Sequence, residues 1–325
     1  MTDTTTAPPV ATGPTVPPPQ RPKRRLGDVI FSRLSSGSGF LILIILAAVA
    51  AFLLVQAFPA LVSSPEVLKT KGYGEFWSWV LPFAFGTVWS SLWALILAVP
   101  VSIGIALFIT HYAPRRLART LGYIIDLLAA VPSVVFGLWG TMTLAPATQP
   151  VYQWLNTYLG FIPLFGGEAS GTGRTLLTAA IVLAVMILPI ITSLCREVFL
   201  QTPRLHEEAA LALGATRWET IKLAVLPYGR AGTVAAVMLG LGRALGETMA
   251  VAMVLSGNQV INFRLLTSDN PNTVAAMIAQ NFPEASGIRI NELIAAGLVL
   301  FVITLIINSI ARLIISRYSE FSGAN

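Results

Sequence analysis

Six long apolar blocks decide what this chain can become. They run over about residues 39–61, 86–110, 121–146, 175–195, 230–255 and 289–315. Each holds the roughly 20 apolar residues that cross a bilayer as a helix. A lone segment in lipid has to satisfy its backbone hydrogen bonds internally, so each block is expected to be helical. The chain is therefore read as an all-α polytopic membrane protein with six transmembrane helices. With 11% of its residues charged and a mean hydropathy of +0.74, it falls well below the roughly 25% charged content of soluble domains. The first block begins near Phe40, too deep for a cleaved signal peptide, and is expected to be retained as a span.

Residues 1–37 read as a disordered, Thr/Pro-rich cytoplasmic tail ending in a basic segment, 38–318 as the membrane domain, and 319–325 as a second cytoplasmic tail. Lys and Arg set the orientation. With the N-terminus inside, Arg21, Lys23, Arg24, Arg25, Arg33, Arg115, Arg116, Arg119, Arg196, Arg204, Arg217, Lys222, Arg230, Arg312 and Arg317 face the cytoplasm. Only Lys69, Lys71, Arg174, Arg264 and Arg289 face outward. Both termini are thus expected in the cytoplasm, and the net charge of +6 reflects this bias rather than nucleic acid binding. The segment 147–174 reads as a long outer loop.

The most informative stretch lies between blocks four and five. Thr202-Pro203 reads as an N-cap with proline at the first helical position. Leu205, Ala209, Ala210 and Leu213 recur at helical spacing, and Gly214 is placed to end the helix in a left-handed conformation. Thr216 and Glu219 form a Thr-x-x-Glu capping box for a second helix, which runs toward Leu226-Pro227. The expectation is a cytoplasmic helix–turn–helix hairpin over about 202–227.

Block five carries Arg243 and Glu247 in its middle. Charges at bilayer depth are costly and mark functional sites by default. The i, i+4 spacing predicts that both leave one helical face and pair. Gly242 and Gly246 give the small-xxx-small spacing of close helix packing. An arginine lining a polar path would meet an oxyanion through its planar fork of donors, with Glu247 balancing it. Asp126 in block three is expected to reach the interface or a loop arginine. His111, His206 and Cys195 form no metal or catalytic set. Gly167 to Thr175, GEASGTGRT, lacks the glycine spacing and the lysine of a phosphate-binding loop, so ATP hydrolysis is left to a partner.

Glu208-Ala209-Ala210, Gly214 and Leu226-Pro227 together resemble the EAA loop of ABC importer permeases, with Ala224 where that pattern often has isoleucine. The resemblance implies a type I ABC importer permease fold, N-in and C-in, whose hairpin docks on an ATPase subunit. Leu239 to Asn258, LGLGRALGETMAVAMVLSGN, is similar to the signature of the PstC family of phosphate permeases. Leu128 to Gly140 and Ile187 to Phe199 also match that family. The family implies a PstA-like second permease, two PstB-like ATPases, a PstS-like phosphate-binding protein outside, and no cofactor on this chain. It also implies a bacterial plasma membrane location. Molybdate and sulfate permeases are the alternative. They usually carry phenylalanine after the glutamate, where this chain has Thr248. A membrane enzyme or a passive channel is disfavoured, because no intramembrane catalytic set accompanies the hairpin.

Overall fold

The computed structural model describes residues 26–64 and 75–319. The Thr/Pro-rich segment, Arg21 to Arg25, Lys69, Lys71 and the tail from residue 320 lie outside the described residues. The chain divides at Ala51 into two units. Within the first, the opening stretch of helix α1 (Leu26–Val62) exposes apolar side chains on every face, among them Phe40, Ile42 and Leu46. Such a helix suits lipid rather than water. Because α1 begins at Leu26, residues 26–37 are helical rather than part of a tail.

Helix α2 (Phe76–Leu107) is followed by a π turn, Phe108–Tyr112. Then come α3 (Arg115–Ala129) and a continuous rod over 133–159. The rod is made of α4 (Ser133–Trp139), a π turn at Gly140–Leu144 and α5 (Ala145–Leu159). Helix α6 (Leu176–Leu200) leads into the hairpin of α7 (Arg204–Ala212) and α8 (Arg217–Thr220). A third π turn, Ile221–Val225, joins α8 to α9 (Leu226–Leu245). The remaining helices are α10 (Met249–Val254), α11 (Val274–Asn281) and α12 (Ile288–Ser319). Between α10 and α11, Gly257–Asn258 pairs in parallel with Asn270–Pro271.

Five helical stretches are long and apolar enough to cross a membrane. A sixth candidate, residues 115–159, is bent by 91° between α3 and the rod. This corrects the third span, expected as one helix over 121–146. Pro132 lacks an N–H and disfavours helical backbone at the residue before it, so the helix breaks there. The rod alone measures roughly 40 Å at 1.5 Å per residue, enough for a hydrocarbon core of roughly 30 Å. It also absorbs the first half of the segment read as the 147–174 loop. The fifth span is corrected as well. It was expected to be continuous over 230–255, but helix α9 ends at Leu245 and α10 starts at Met249.

The three π turns share a cause. In each, the residue before a proline donates its N–H five residues back: Ala113 to Phe108, Ala145 to Gly140 and Leu226 to Ile221. Pro114, Pro146 and Pro227 follow. A proline ring crowds the carbonyl four residues earlier, and one widened turn relieves the clash. The rod and the α8–α9 helix thereby continue through their prolines, whereas the chain turns extended at Ala113.

Helix α6 is the hub, packed by α2 and α9. Leu183, Ile187, Ile191 and Phe199 are fully buried along it. Lipid tails are as apolar as side chains, so close approach and interhelical hydrogen bonds replace the hydrophobic drive. A Cβ on Gly240 of α9 would fall 2.7 Å from Ile191 Cδ1. Ser102 of α2 donates to the Leu188 carbonyl of α6 at 3.2 Å. A second cluster joins α2, α11 and α12 through Trp79, Phe83, Val274 and Leu293. It encloses an ion pair, Arg289 Nη1 to Glu292 Oε2 at 3.1 Å, with the Arg289 guanidinium 4.6 Å from the Trp79 ring centre.

Candidate functional site

The hairpin is built by local rules. Ala215 donates to the Ala210 carbonyl at 3.1 Å and Gly214 to that of Leu211 at 2.9 Å. These two bonds are the Schellman closure of a helix C-terminus. Gly214 has φ +85°, the left-handed conformation expected of it. The capping box is complete: Thr216 N–H donates to Glu219 Oε2 at 2.7 Å, and Glu219 N–H returns to Thr216 Oγ1 at 3.3 Å. One expectation fails. Pro203, not Thr202, occupies the N-cap position of α7, with extended backbone and no side-chain cap.

The two arms enclose an open groove of about 970 Å³, lined among others by Ala209, Ala210, Leu213, Gly214 and Leu223. Leu213 is 90% exposed, Leu205 73% and Leu223 69%. Glu208 is exposed on α7 beyond the groove. Leu226 and Pro227 are half-buried at the start of α9, away from the groove, where they shape the widened turn. His111 Nε2 lies 3.6 Å from Glu207 Oε1, tying α7 to the end of α2's π turn. Arg196 meets Asp126 at 3.5 Å, so the acid reaches an arginine as expected. It does so from the exposed side of α3 rather than from inside a span.

The second expected site is arranged differently from its sequence spacing. The helix breaks between Arg243 and Glu247, and among the described residues no ion pair joins them. Glu247 is buried and points back at the chain: its Oε1 accepts from the Ala250 N–H at 3.0 Å. A carboxylate there caps the first turn of α10 and sits at the positive end of its backbone dipoles. The other end of α10 is held by Arg174, whose guanidinium donates to the Met253 carbonyl at 2.8 Å and to that of Val254 at 3.3 Å. Thr141 of the rod also donates to Met253, at 2.9 Å.

Arg243 instead opens into a cleft of about 600 Å³ between α6, α9 and α12. Ile190, Leu239, Gly242, Asn308 and Arg312 line it with Arg243. Gly242 and Gly246 are exposed, and among the described residues no side chain packs on either. The close glycine contacts of α9 fall at Gly229, Gly232 and Gly240 instead.

Sequence reasoning missed three residues here. Arg312 had been counted only as a cytoplasmic charge. Arg174 was weighed as an outer-side charge and as a failed phosphate-loop residue. Glu292 went unread, although Arg289-x-x-Glu292 is the i, i+3 spacing of a helical pair.

The geometry is that of an ABC importer permease. A bacterial ABC transporter involved in import of the acidic polysaccharide alginate superposes with a TM-score of 0.58 at 17% identity, over 90% of this chain and 99% of that one. The MetNI methionine ABC transporter in an inward-facing conformation gives 0.50 at 18% identity, over 74% and 94%. A family model described as the binding-protein-dependent transport system inner membrane component matches residues 98–320. "Phosphate transport system permease protein PstC 2" of Mycobacterium tuberculosis is 48% identical over 90% of this chain and 93% of its own length. The PstC protein of Xylella fastidiosa is 40% identical over 86% and 91%. The chain belongs to the binding-protein-dependent transport inner membrane component family, and within it to the PstC family. It is a multi-pass bacterial inner membrane protein and a permease subunit of an ABC importer.

Proposed function

We propose that this chain forms half of the translocation path of an ATP-driven phosphate importer. The observation carrying that reading is the 48% identity to a phosphate permease across nine-tenths of the chain. The cleft supports it: Arg243 and Arg312 offer two guanidinium groups to one open space, and each can bind phosphate oxygens through parallel N–H donors. In this reading Arg243 meets the anion. Glu247 is a positioning residue that fixes the helix break beside it.

The hairpin carries the coupling. Leu205, Leu213 and Leu223 are apolar and exposed on a cytoplasmic element, and such surface marks a protein contact. The occupant is a PstB-like ATPase subunit, which binds and hydrolyses the ATP. This chain has no ATPase site and needs no cofactor. A PstA-like permease completes the path, and a PstS-like protein delivers phosphate from outside. Both termini lie in the cytoplasm, so a reporter fused after Gly167 reads as external and one after Thr216 as internal.

The test is uptake by proteoliposomes holding the assembled complex with ATP inside and the binding protein outside. Phosphate uptake should survive a tenfold excess of molybdate or sulfate. Suppression by either oxyanion would assign the chain to the alternative cargo.

A further inference from the structure

Among the described residues, helix α3 is the one long helix that follows neither expected pattern, since it is neither a span by itself nor part of the hairpin. It meets the rod at 91°, so when the rod crosses the bilayer α3 runs along the membrane surface. Its sequence, RRLARTLGYIIDLLA, sorts into three sectors. At roughly 100° per residue, Ala118, Gly122 and Ile125 share the face that packs on α6, where Gly122 and Ile125 are buried. Leu117, Ile124 and Leu128 share a second sector and are 42, 47 and 44% exposed. Arg115, Arg119 and Asp126 lie on the side opposite that apolar stripe. An apolar stripe facing a basic one is the pattern of a helix lying in the interface, its leucines among the acyl chains and its arginines at headgroup level.

The basic stripe borders a cavity of about 480 Å³ shared with the end of α2's π turn and with α6. Arg115, Arg119 and Arg196 reach it. Arg196 is engaged by Asp126 and Glu197, at 3.5 and 3.0 Å. Among the described residues, Arg115 and Arg119 form no ion pair. Two uncommitted guanidinium groups thus flank a cavity at the level where lipid phosphates lie.

We propose that this cavity binds the headgroup of an anionic phospholipid of the cytoplasmic leaflet. Its phosphate would lie between Arg115 and Arg119 on the headgroup side of α3, and its acyl chains would pass the flank of the helix into the lipid layer that Leu117, Ile124 and Leu128 face. The lipid holds α3 flat, and through the Arg196–Asp126 pair it steadies α6 just above the hairpin. The site is separate from the transport path.

The test is native mass spectrometry of the assembled transporter in detergent, titrated with phosphatidylglycerol or with phosphatidylcholine. Each arginine that reaches the lipid phosphate contributes about fivefold to anionic lipid affinity. The wild-type complex should therefore retain one phosphatidylglycerol per chain roughly thirtyfold better than phosphatidylcholine. Arg115→Gln with Arg119→Gln should remove that preference, Arg119→Gln alone should cut it about fivefold, and Arg116→Gln, outside the cavity, should change it less than twofold. Added salt should weaken retention. Equal retention of the two lipids by the wild type would overturn the proposal without any variant. An Arg116→Gln effect matching that of Arg119→Gln would reduce the site to diffuse charge and would also overturn it. Displacement of phosphatidylglycerol by equimolar inorganic phosphate would instead make the cavity a free-anion site.

Discussion

The hairpin and the α9–α10 break solve the same problem, a helix that must stop and restart, by opposite means. In the hairpin the turn and the start of its second helix are closed by local bonds, with one outside tie from His111 to Glu207. The Schellman closure, the left-handed Gly214 and the Thr216–Glu219 box all lie within ten residues of one another. Its apolar side chains are left free to face outward. At the break, the short helix α10 is held by residues far away in sequence, Arg174 and Thr141. Locally, a buried carboxylate caps its first turn. A hairpin closed on itself can be pushed as a unit by a partner without unfolding. A break fixed by three elements reports the positions of all three. This division suits a coupling element at one end and a path-lining element at the other.

The comparison can be broken most severely at Glu247. Glu247→Ala removes the cap and the charge from a buried helix N-terminus and should cost about 2 kcal/mol. It should appear as a lower thermal midpoint and lower yield of the assembled complex. Glu247→Gln keeps an acceptor oxygen and should lose about half as much. Equal midpoints for wild type and Glu247→Ala would mean the carboxylate does not hold the break.

Gly214→Val should act in the other way. A Cβ there meets nothing within 4 Å, so the whole cost is the left-handed backbone, about 1–2 kcal/mol. The complex should assemble normally while ATP hydrolysis stimulated by binding protein and phosphate falls about tenfold, a loss of roughly 1.4 kcal/mol in coupling. Full stimulation would count against the hairpin as the coupling element. The smallest effect is expected from Thr216→Ala. It loses one cap on an exposed helix, about 1 kcal/mol, and should lower stimulated hydrolysis less than Gly214→Val. A larger loss than Gly214→Val would show that the box, not the turn, sets the hairpin.

These differences also explain what was legible in the sequence. The hairpin could be read because its rules act over three to five residues: glycine after the helix, Thr-x-x-Glu before the next. Even there Pro203 took the cap position from Thr202, since proline's fixed φ starts a helix without a side-chain bond. The spans were legible as apolar blocks, but their ends were not. Block three merged α3 with the rod because Ile124, Leu127 and Leu128 raise hydropathy whether they face lipid from the surface or from within. Pro132 and the periodic arginines were the available signals. Block five hid its break for the same reason. The i, i+4 pairing of Arg243 and Glu247 assumed a helix that Gly246 ends. Nothing local placed Arg312 and Asn308 beside Arg243, because that cleft exists only where three helices meet.

The central claim is that the anion passes Arg243 while Glu247 serves the fold. The most direct measurement is ATP-driven phosphate uptake by proteoliposomes containing the assembled complex with Arg243→Gln. The account predicts a complex of wild-type yield and thermal midpoint whose uptake is at least about a hundredfold lower, a loss of roughly 2.7 kcal/mol in the transport step. Wild-type uptake by that variant, or a fall in uptake matched by an equal loss of assembled complex, would contradict it.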